Sequence, residues 1–244
     1  MIRSIFLIAA SLTVFDCFCQ NSIGLNGEPA YQVHNTNAIF TSFNDSIINS
    51  AGNDINANFN IEHKWKIDRM NSYSALIGYS TNSFKLTRTG LKLFDLIHPA
   101  LPEIRDQGEA STKTAYLHYR FKYINAQALY YRNLLERYRS KTLGANAFVG
   151  VSYSMLVDND LKVKSEGFSI NQKFVNVVSD SIYYEGRKHL VNFHIGAEFS
   201  YEFEKDLQFV GGIKAGVPLM SNTVNQPMFQ IFTPGIKFGL RYYY

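Results

Sequence analysis

Seven charged residues recur on the polar side of alternating segments: Glu62, Lys64, Glu198, Glu202, Lys214, Lys237 and Arg241. Carboxylates and cations gathered on one face can line an ion-selective pore, work as an acid–base pair, or hold one another in a salt-bridge network. If Phe203 pairs with Leu207 across a tight turn, Glu198 falls opposite Gly212 and diagonal to Lys214, within cross-strand reach. Both signs of charge are present, which favours the network.

The other groups that could do chemistry are scattered. His194 shares the polar face but stands four residues from Glu198, about 13 Å along an extended strand. His98, His118 and His189 lie near the outer ends of their segments, and none sits in a nucleophile motif. Gly211–Gly216 is glycine-rich, but it lies inside a strand pattern with no helix after it, so it fails the context of a phosphate loop. Arg132, Arg137, Arg139 and Lys141 cluster around one turn with Tyr130, Tyr131 and Tyr138, as an interfacial anchor or a docking patch for an acidic partner would. No catalytic, cofactor-binding or metal-binding residue is assigned, and the chain is expected not to be an enzyme.

The elements that must position these residues are strands with two unlike faces. Ile55, Ala57, Phe59, Ile61, His63 and Trp65 alternate with Asn56, Asn58, Asn60, Glu62, Lys64 and Lys66. The same period of two recurs over 72–80, 143–155, 191–203, 207–217 and 235–244, with a further strand inside 113–134. In that last strand the pattern inverts near Ile124, which suggests a bulge or a membrane exit. An even strand count needs one more, and the weak segment 28–43 is the candidate. Connections alternate between short (Lys66–Asn71, Glu136–Lys141, Glu204–Asp206) and long (Arg88–Ser111, Asp158–Lys188, Leu219–Met228). The pattern predicts an all-β, antiparallel transmembrane β-barrel of eight strands, with short periplasmic turns and long outer loops. Eight strands leave room for little beyond side chains.

Three features favour a membrane barrel over a soluble one. The polar faces are rich in Gly, Ser and Asn, aromatic residues gather near strand ends, and the chain ends on an aromatic residue within its last strand. Charged residues make up only 18% of 244 residues, against 36 Phe, Tyr and Trp, which excludes a disordered chain. A net charge of +4 is too mild for nucleic acid. Residues 1–19 read as a signal peptide, with Arg3 before the apolar stretch Ile5–Phe15 and a cut after Cys19. Residues 20–244 are then the barrel domain, without cysteine and hence without disulfides.

Gln20 after the cut, the stretch Tyr123–Tyr131, the Gly144–Gly150 segment and the terminal Gly235–Tyr244 resemble PorT-like outer-membrane β-barrel proteins of Gram-negative bacteria. The resemblance covers the chain from about residue 53 onward. It implies the cell outer membrane, insertion by barrel-assembly machinery that reads a terminal signal (Phe238, Tyr242 and Tyr244), and no shared catalytic residues. The expected role is structural or partner-binding, as an accessory subunit of a larger outer-membrane assembly. The rivals are a small-solute channel and an outer-membrane lipid hydrolase. Outer-membrane lipid and protein-complex partners are expected, and no cofactor. The candidate docking element is the loop carrying Leu91, Phe94 and Ile97, whose spacing would align three apolar side chains on a short helix before Pro99.

Overall fold

The computed structural model describes residues 21–34, 48–91, 113–135, 142–166, 175–177, 185–224 and 230–244. These form ten strands: β1 (Asn21–His34), β2 (Ile48–Gly52), β3 (Asp54–Lys66), β4 (Asn71–Leu91), β5 (Lys113–Asn133), β6 (Leu143–Glu166), β7 (Val175–Val177), β8 (His189–Glu204), β9 (Leu207–Pro218) and β10 (Gln230–Tyr243). Eight of them pair antiparallel in the order β1–β3–β4–β5–β6–β8–β9–β10, and β10 returns to β1 from Ser22↔Tyr243 to Ala30↔Gly235. The sheet is therefore a closed eight-stranded barrel with no free edge within the ring. The short β2 and β7 lie outside the ring, on β4 and β6. The proposed leader, residues 1–19, lies outside the described residues.

Period-two alternation fixes what each face meets. Outward residues are apolar and uncovered: Ile55 is 70% exposed, Ile77 67% and Ile213 66%. Their inward neighbours are polar and buried, among them Asn56, Asn60, Ser74, Ser152 and Ser200. Tyr73, Tyr201, Tyr242 and Tyr244 ring the exterior at the turn end, while Tyr31, Tyr153, Phe193 and Phe232 lie toward the other. An apolar band between aromatic girdles around a polar interior is the pattern that a bilayer selects.

The first strand is not at 28–43. β1 occupies Asn21–His34, with Ile23, Leu25 and Tyr31 outward and Ser22, Asn26, Glu28 and Gln32 inward. Gly24, Gly27 and Pro29 dilute its alternation, which is why the sequence reads it as weak. Gly27 has a specific reason: the Phe238 ring of β10 lies over it, and a Cβ there would come within 2.8 Å of the ring. Glycine covered by a cross-strand aromatic is a known packing solution in sheets.

At the turn end the connections are tight. Asp68 accepts hydrogen bonds from Asn71 Nδ2 at 2.8 Å and from the Met70 and Asn71 amides at 2.7 Å, and these hold its carboxyl below the usual range. β8 and β9 are joined by Lys205–Asp206, with Asp206 at φ 64°, a left-handed conformation that Asp tolerates. The turn with Arg137, Tyr138, Arg139 and Lys141 lies outside the described residues; Arg132 ends its strand exposed.

The start of β1 and the end of β10 meet here. The Tyr244 amide donates to the Asn21 carbonyl at 3.1 Å, and its ring lies 6.4 Å from His63, which in turn packs on Trp65 at 4.4 Å. Phe238, Tyr242 and Tyr244 all face outward, about half exposed. Deleting Tyr244 should lower the fraction of chain that inserts, read as the heat-modifiable band in outer-membrane preparations. Unchanged insertion would remove this residue from the assembly signal.

At the other end β4, β5 and β6 run past the apolar band. β5 keeps a single phase throughout: Ala115, Leu117, Tyr119, Phe121, Tyr123, Asn125, Gln127 and Tyr131 are all buried on the inward side. What inverts near Ile124 is the chemistry, not the facing. Below that level the inside is polar and the outside apolar. Above it the inside is apolar (Phe84, Leu86, Leu117, Tyr119, Leu161, Val163) and the outside carries His118, Arg120 and Lys122. The bulge expected in this strand is in its neighbour. Lys122 pairs with Asp158 and Tyr123 with Leu156, so Val157 of β6 is the extra residue.

Candidate functional site

Two features of the described residues could carry function: the packed lumen and the sheet that rises above the band.

In the lumen, Lys237 and Arg241 of β10 lie on one inward row, four residues apart with Gly239 between them. Arg241 grips Glu198 with both terminal nitrogens, Nη1–Oε1 at 2.8 Å and Nη2–Oε2 at 3.0 Å, and Nη2 also reaches Glu62 Oε2 at 3.0 Å. Lys237 Nζ lies 2.8 Å from Glu198 Oε2 and 3.2 Å from Glu62 Oε2. Lys64 completes the set at 3.3 Å from Glu198 Oε1. The remaining acceptor capacity of Glu62 is filled by the Tyr131 hydroxyl and by Asn26 Nδ2, each at 2.9 Å. Glu62, Glu198, Lys237 and Arg241 are at most 1% exposed. The cluster sets three cations against two carboxylates. Part of the imbalance is met by the Tyr131 ring face, 3.7 Å from Lys64 Nζ.

Topology gives this cluster its meaning. In the ring order β3 stands four strands from β8, and β5 four strands from β10. Lys64–Glu198 therefore joins opposite walls, and Lys237–Tyr131, at 3.1 Å, joins the other pair of opposite walls. Contacts along two crossed diameters close a lumen of this width. Two cavities flank the closure. A polar one of about 270 Å³ opens at the turn end, bounded by Lys64, Lys66, Glu202, Gln208 and Tyr243. A smaller one, about 70 Å³, lies toward the outer end beside Glu28, Ser152, His194 and Lys214.

The seven sequence-selected charges thus divide. Five converge in the cluster. Glu198 does lie opposite Gly212, but Lys214 points away from it and bonds Glu28 Oε2 at 2.9 Å and Gln127 Oε1 at 2.7 Å. Glu202 borders the turn-end cavity and makes no ion pair with a described residue. Asn26, Glu28, Gln127 and Tyr131 were not singled out by sequence as interior partners. The first two belong to the strand whose alternation is diluted, and Tyr131 sits in a run of aromatics that also fits an interfacial girdle.

Glycine makes the packing possible. A side chain at inward Gly196 would collide with the Ile213 carbonyl of β9 and with the Phe148 ring, which packs on Tyr131 at 5.2 Å. Gly196→Val should therefore lose about 1–3 kcal/mol by overpacking, measured by urea titration in detergent micelles. An unchanged midpoint would mean that both the ring and the β9 backbone can give way.

The described histidines picked out in sequence each meet a different polar partner. His194 Nε2 lies 2.7 Å from Ser152 Oγ inside the lumen, with Gly216 at its other nitrogen. His189 Nδ1 lies 2.6 Å from the Tyr153 hydroxyl on the exterior, and His118 Nε2 lies 2.7 Å from Asp54 Oδ2 above the band. Burial opposes ionisation of Asp54, but Ser83 and His118 outweigh it and keep the carboxyl below its ordinary range. Burial pushes His118 down more than Asp54 lifts it. His98 lies outside the described residues.

An apolar exterior on a closed, polar-cored barrel has one solvent that suits it, hydrocarbon. The chain is a small outer-membrane β-barrel. No protein-family model and no curated protein matches it. Among solved structures it is similar to Ail, the attachment invasion locus protein of Yersinia pestis, at 8% identity and TM-score 0.44, over 93% of this chain and 99% of that one. It is also similar to Neisserial surface protein A (9%, 0.43, over 91% and 96%) and to OprG from Pseudomonas aeruginosa (8%, 0.43, over 93% and 97%). The strand pairing and the exterior, rather than these distant likenesses, carry the fold.

Above the band, β2–β4–β5–β6–β7 form a five-stranded sheet. Its inner face holds Phe84 stacked on Tyr119 at 4.8 Å, with Phe121 6.0 Å from Phe84. Its junction with the barrel is tied by Tyr123 Oη to the Arg187 carbonyl at 3.3 Å and by the Gly186↔Thr223 bridge. β7 pairs with Leu161–Val163, so part of the connection expected over Asp158–Lys188 is a hairpin above the bilayer. Leu91 closes β4 opposite Lys113, while Phe94 and Ile97 lie outside the described residues.

Proposed function

We propose that this chain is a sealed, non-enzymatic barrel that anchors a recognition surface outside the bilayer and acts as an accessory subunit of a larger outer-membrane assembly. The observation that carries the reading is the inversion of polarity along β4, β5 and β6. A barrel that ended at the band would need no apolar core above it. Here strands of 21, 21 and 24 residues hold one in place, about twice the length needed to cross. The crossed contacts argue for closure over transport, because a solute path needs a gap that those side chains fill. PorT-like character is the finer form of the proposal; it draws on the terminal Gly235–Tyr244 pattern and on the Tyr123–Tyr131 strand.

The experiment is purification from the native membrane in mild detergent after cross-linking. The intact barrel is compared with one whose β4–β5 hairpin is cut back and rejoined at the Asn82↔Phe121 pair, and with Leu91, Phe94 and Ile97 replaced by Ser. The expected result is a defined protein neighbour lost from the shortened barrel while both variants insert. The same neighbours on all three barrels would reject the outer sheet and its loop as the docking element. A chain-specific hydrolytic activity on membrane lipid that is lost in Ser152→Ala would instead promote the hydrolase reading, which the Ser152–His194 contact favours.

A further inference from the structure

The outward face of the raised sheet has a charge pattern that neither closure nor protein docking requires. Lys85, His118 and Lys162 stand directly opposite one another on three adjacent strands. Burial keeps His118 below its ordinary range, so the standing cations of the row are Lys85 and Lys162; Asp54 answers the first, and the second has no counter-charge among the described residues. Arg120 sits one outward position nearer the membrane, facing Asp160 in register, and Lys164 one position farther out.

The described acids on this face are already engaged. Asp54 lies 3.3 Å from Lys85 and 2.7 Å from His118, while Asp158 and Asp160 both hold Lys122, at 2.7 and 2.6 Å. Arg120 and Lys162 make no ion pair with a described residue. Among the described residues, the face therefore keeps donors for an anion.

Height above the band narrows the anion. Ile124 is the last aliphatic outward residue of β5, with the exposed ring of Tyr116 farther out beyond the cations. With a rise of about 3.3 Å per residue and a tilt near 40°, Arg120 stands about 10 Å beyond it and His118 about 15 Å. A phospholipid headgroup layer is about 5–8 Å deep, enough for Lys122 but not for the row above it. Phosphates carried on the sugars of a glycolipid headgroup reach that height.

We propose that the outward face of β4–β6, centred on Arg120 and Lys162, binds the sugar-borne phosphates of a glycolipid in the surrounding outer leaflet. The site is independent of the proposed protein partner, since it lies on the opposite face from the apolar core and needs no second protein.

The test uses the full-length barrel in phosphatidylcholine vesicles, with lipopolysaccharide carrying phosphorylated core sugars as the probe. Retention of the probe through detergent extraction is measured by native mass spectrometry. Arg120→Gln with Lys162→Gln should weaken retention about thirtyfold, at about fivefold per cation near a membrane surface. Lys66→Gln, at the turn end, should leave it unchanged. If the double variant does not insert, Lys162→Gln alone supplies the reading, at about fivefold. Equal retention by the double variant would overturn the site. Equal retention of phosphatidylglycerol, or full displacement by soluble polyphosphate, would overturn the assignment to a glycolipid. None of these outcomes depends on whether a protein neighbour is found.

Discussion

Replacing Glu198 with Ala should destabilise the barrel by about 3–5 kcal/mol, the range for breaking a buried ion pair from one side. Glu198 takes both nitrogens of Arg241 and the ammonium groups of Lys64 and Lys237, with no exposure to solvent. Without it, three cations would share Glu62 alone. The loss is therefore mostly uncompensated charge rather than missing attraction. Glu202→Ala is the matched control, on the same strand and inward face but without an ion pair among the described residues, and should change stability by no more than about 0.5 kcal/mol. Urea titration in lipid vesicles reads both. Similar midpoints for the two variants would mean that the cluster is not a structural unit.

Tyr119→Ala should cost about 3–5 kcal/mol as well, the range for truncating a large buried aromatic, but in a different place. Tyr119 is fully buried, stacked on Phe84 and 6.5 Å from Phe121. All three belong to the raised sheet, whereas the barrel below has its own hydrogen-bonded ring and its own ion pairs. Amide exchange should accelerate in β4, β5 and β6 beyond the Tyr79↔Ile124 level and stay slow beneath it. Uniform acceleration, or loss of the heat-modifiable form, would show instead that sheet and barrel unfold together.

The contrast between the two regions also decides what was legible in sequence. Strands within the band are readable because lipid outside and side chains inside impose opposite chemistry on alternate residues, as in Ile55–Lys66. β1 escapes because Gly27 is covered by Phe238 and so contributes no side chain to the pattern. The outer half of β5 misleads for another reason. Alternation reports which residues face alike, not which side is wet, and the solvent changes along the strand. Of the interior charges, the register of Glu198 and Gly212 follows from the short turn together with a bulge at Phe203, since Leu207 pairs with Glu204 rather than with Phe203. The bonding of Lys214 to Glu28 does not, because it reaches past β10 from β9 to a strand brought there only by closure of the ring. Partners across a barrel are set by circumference and stagger, which no single strand encodes.

Closure of the lumen is the claim on which the structural account stands, and ionic current through single barrels tests it most directly. The intact protein, reconstituted into planar bilayers, should give no stable stepwise current, since Lys64–Glu198 and Lys237–Tyr131 join opposite walls in two directions. Large, long-lived single-channel steps from the intact barrel would contradict it.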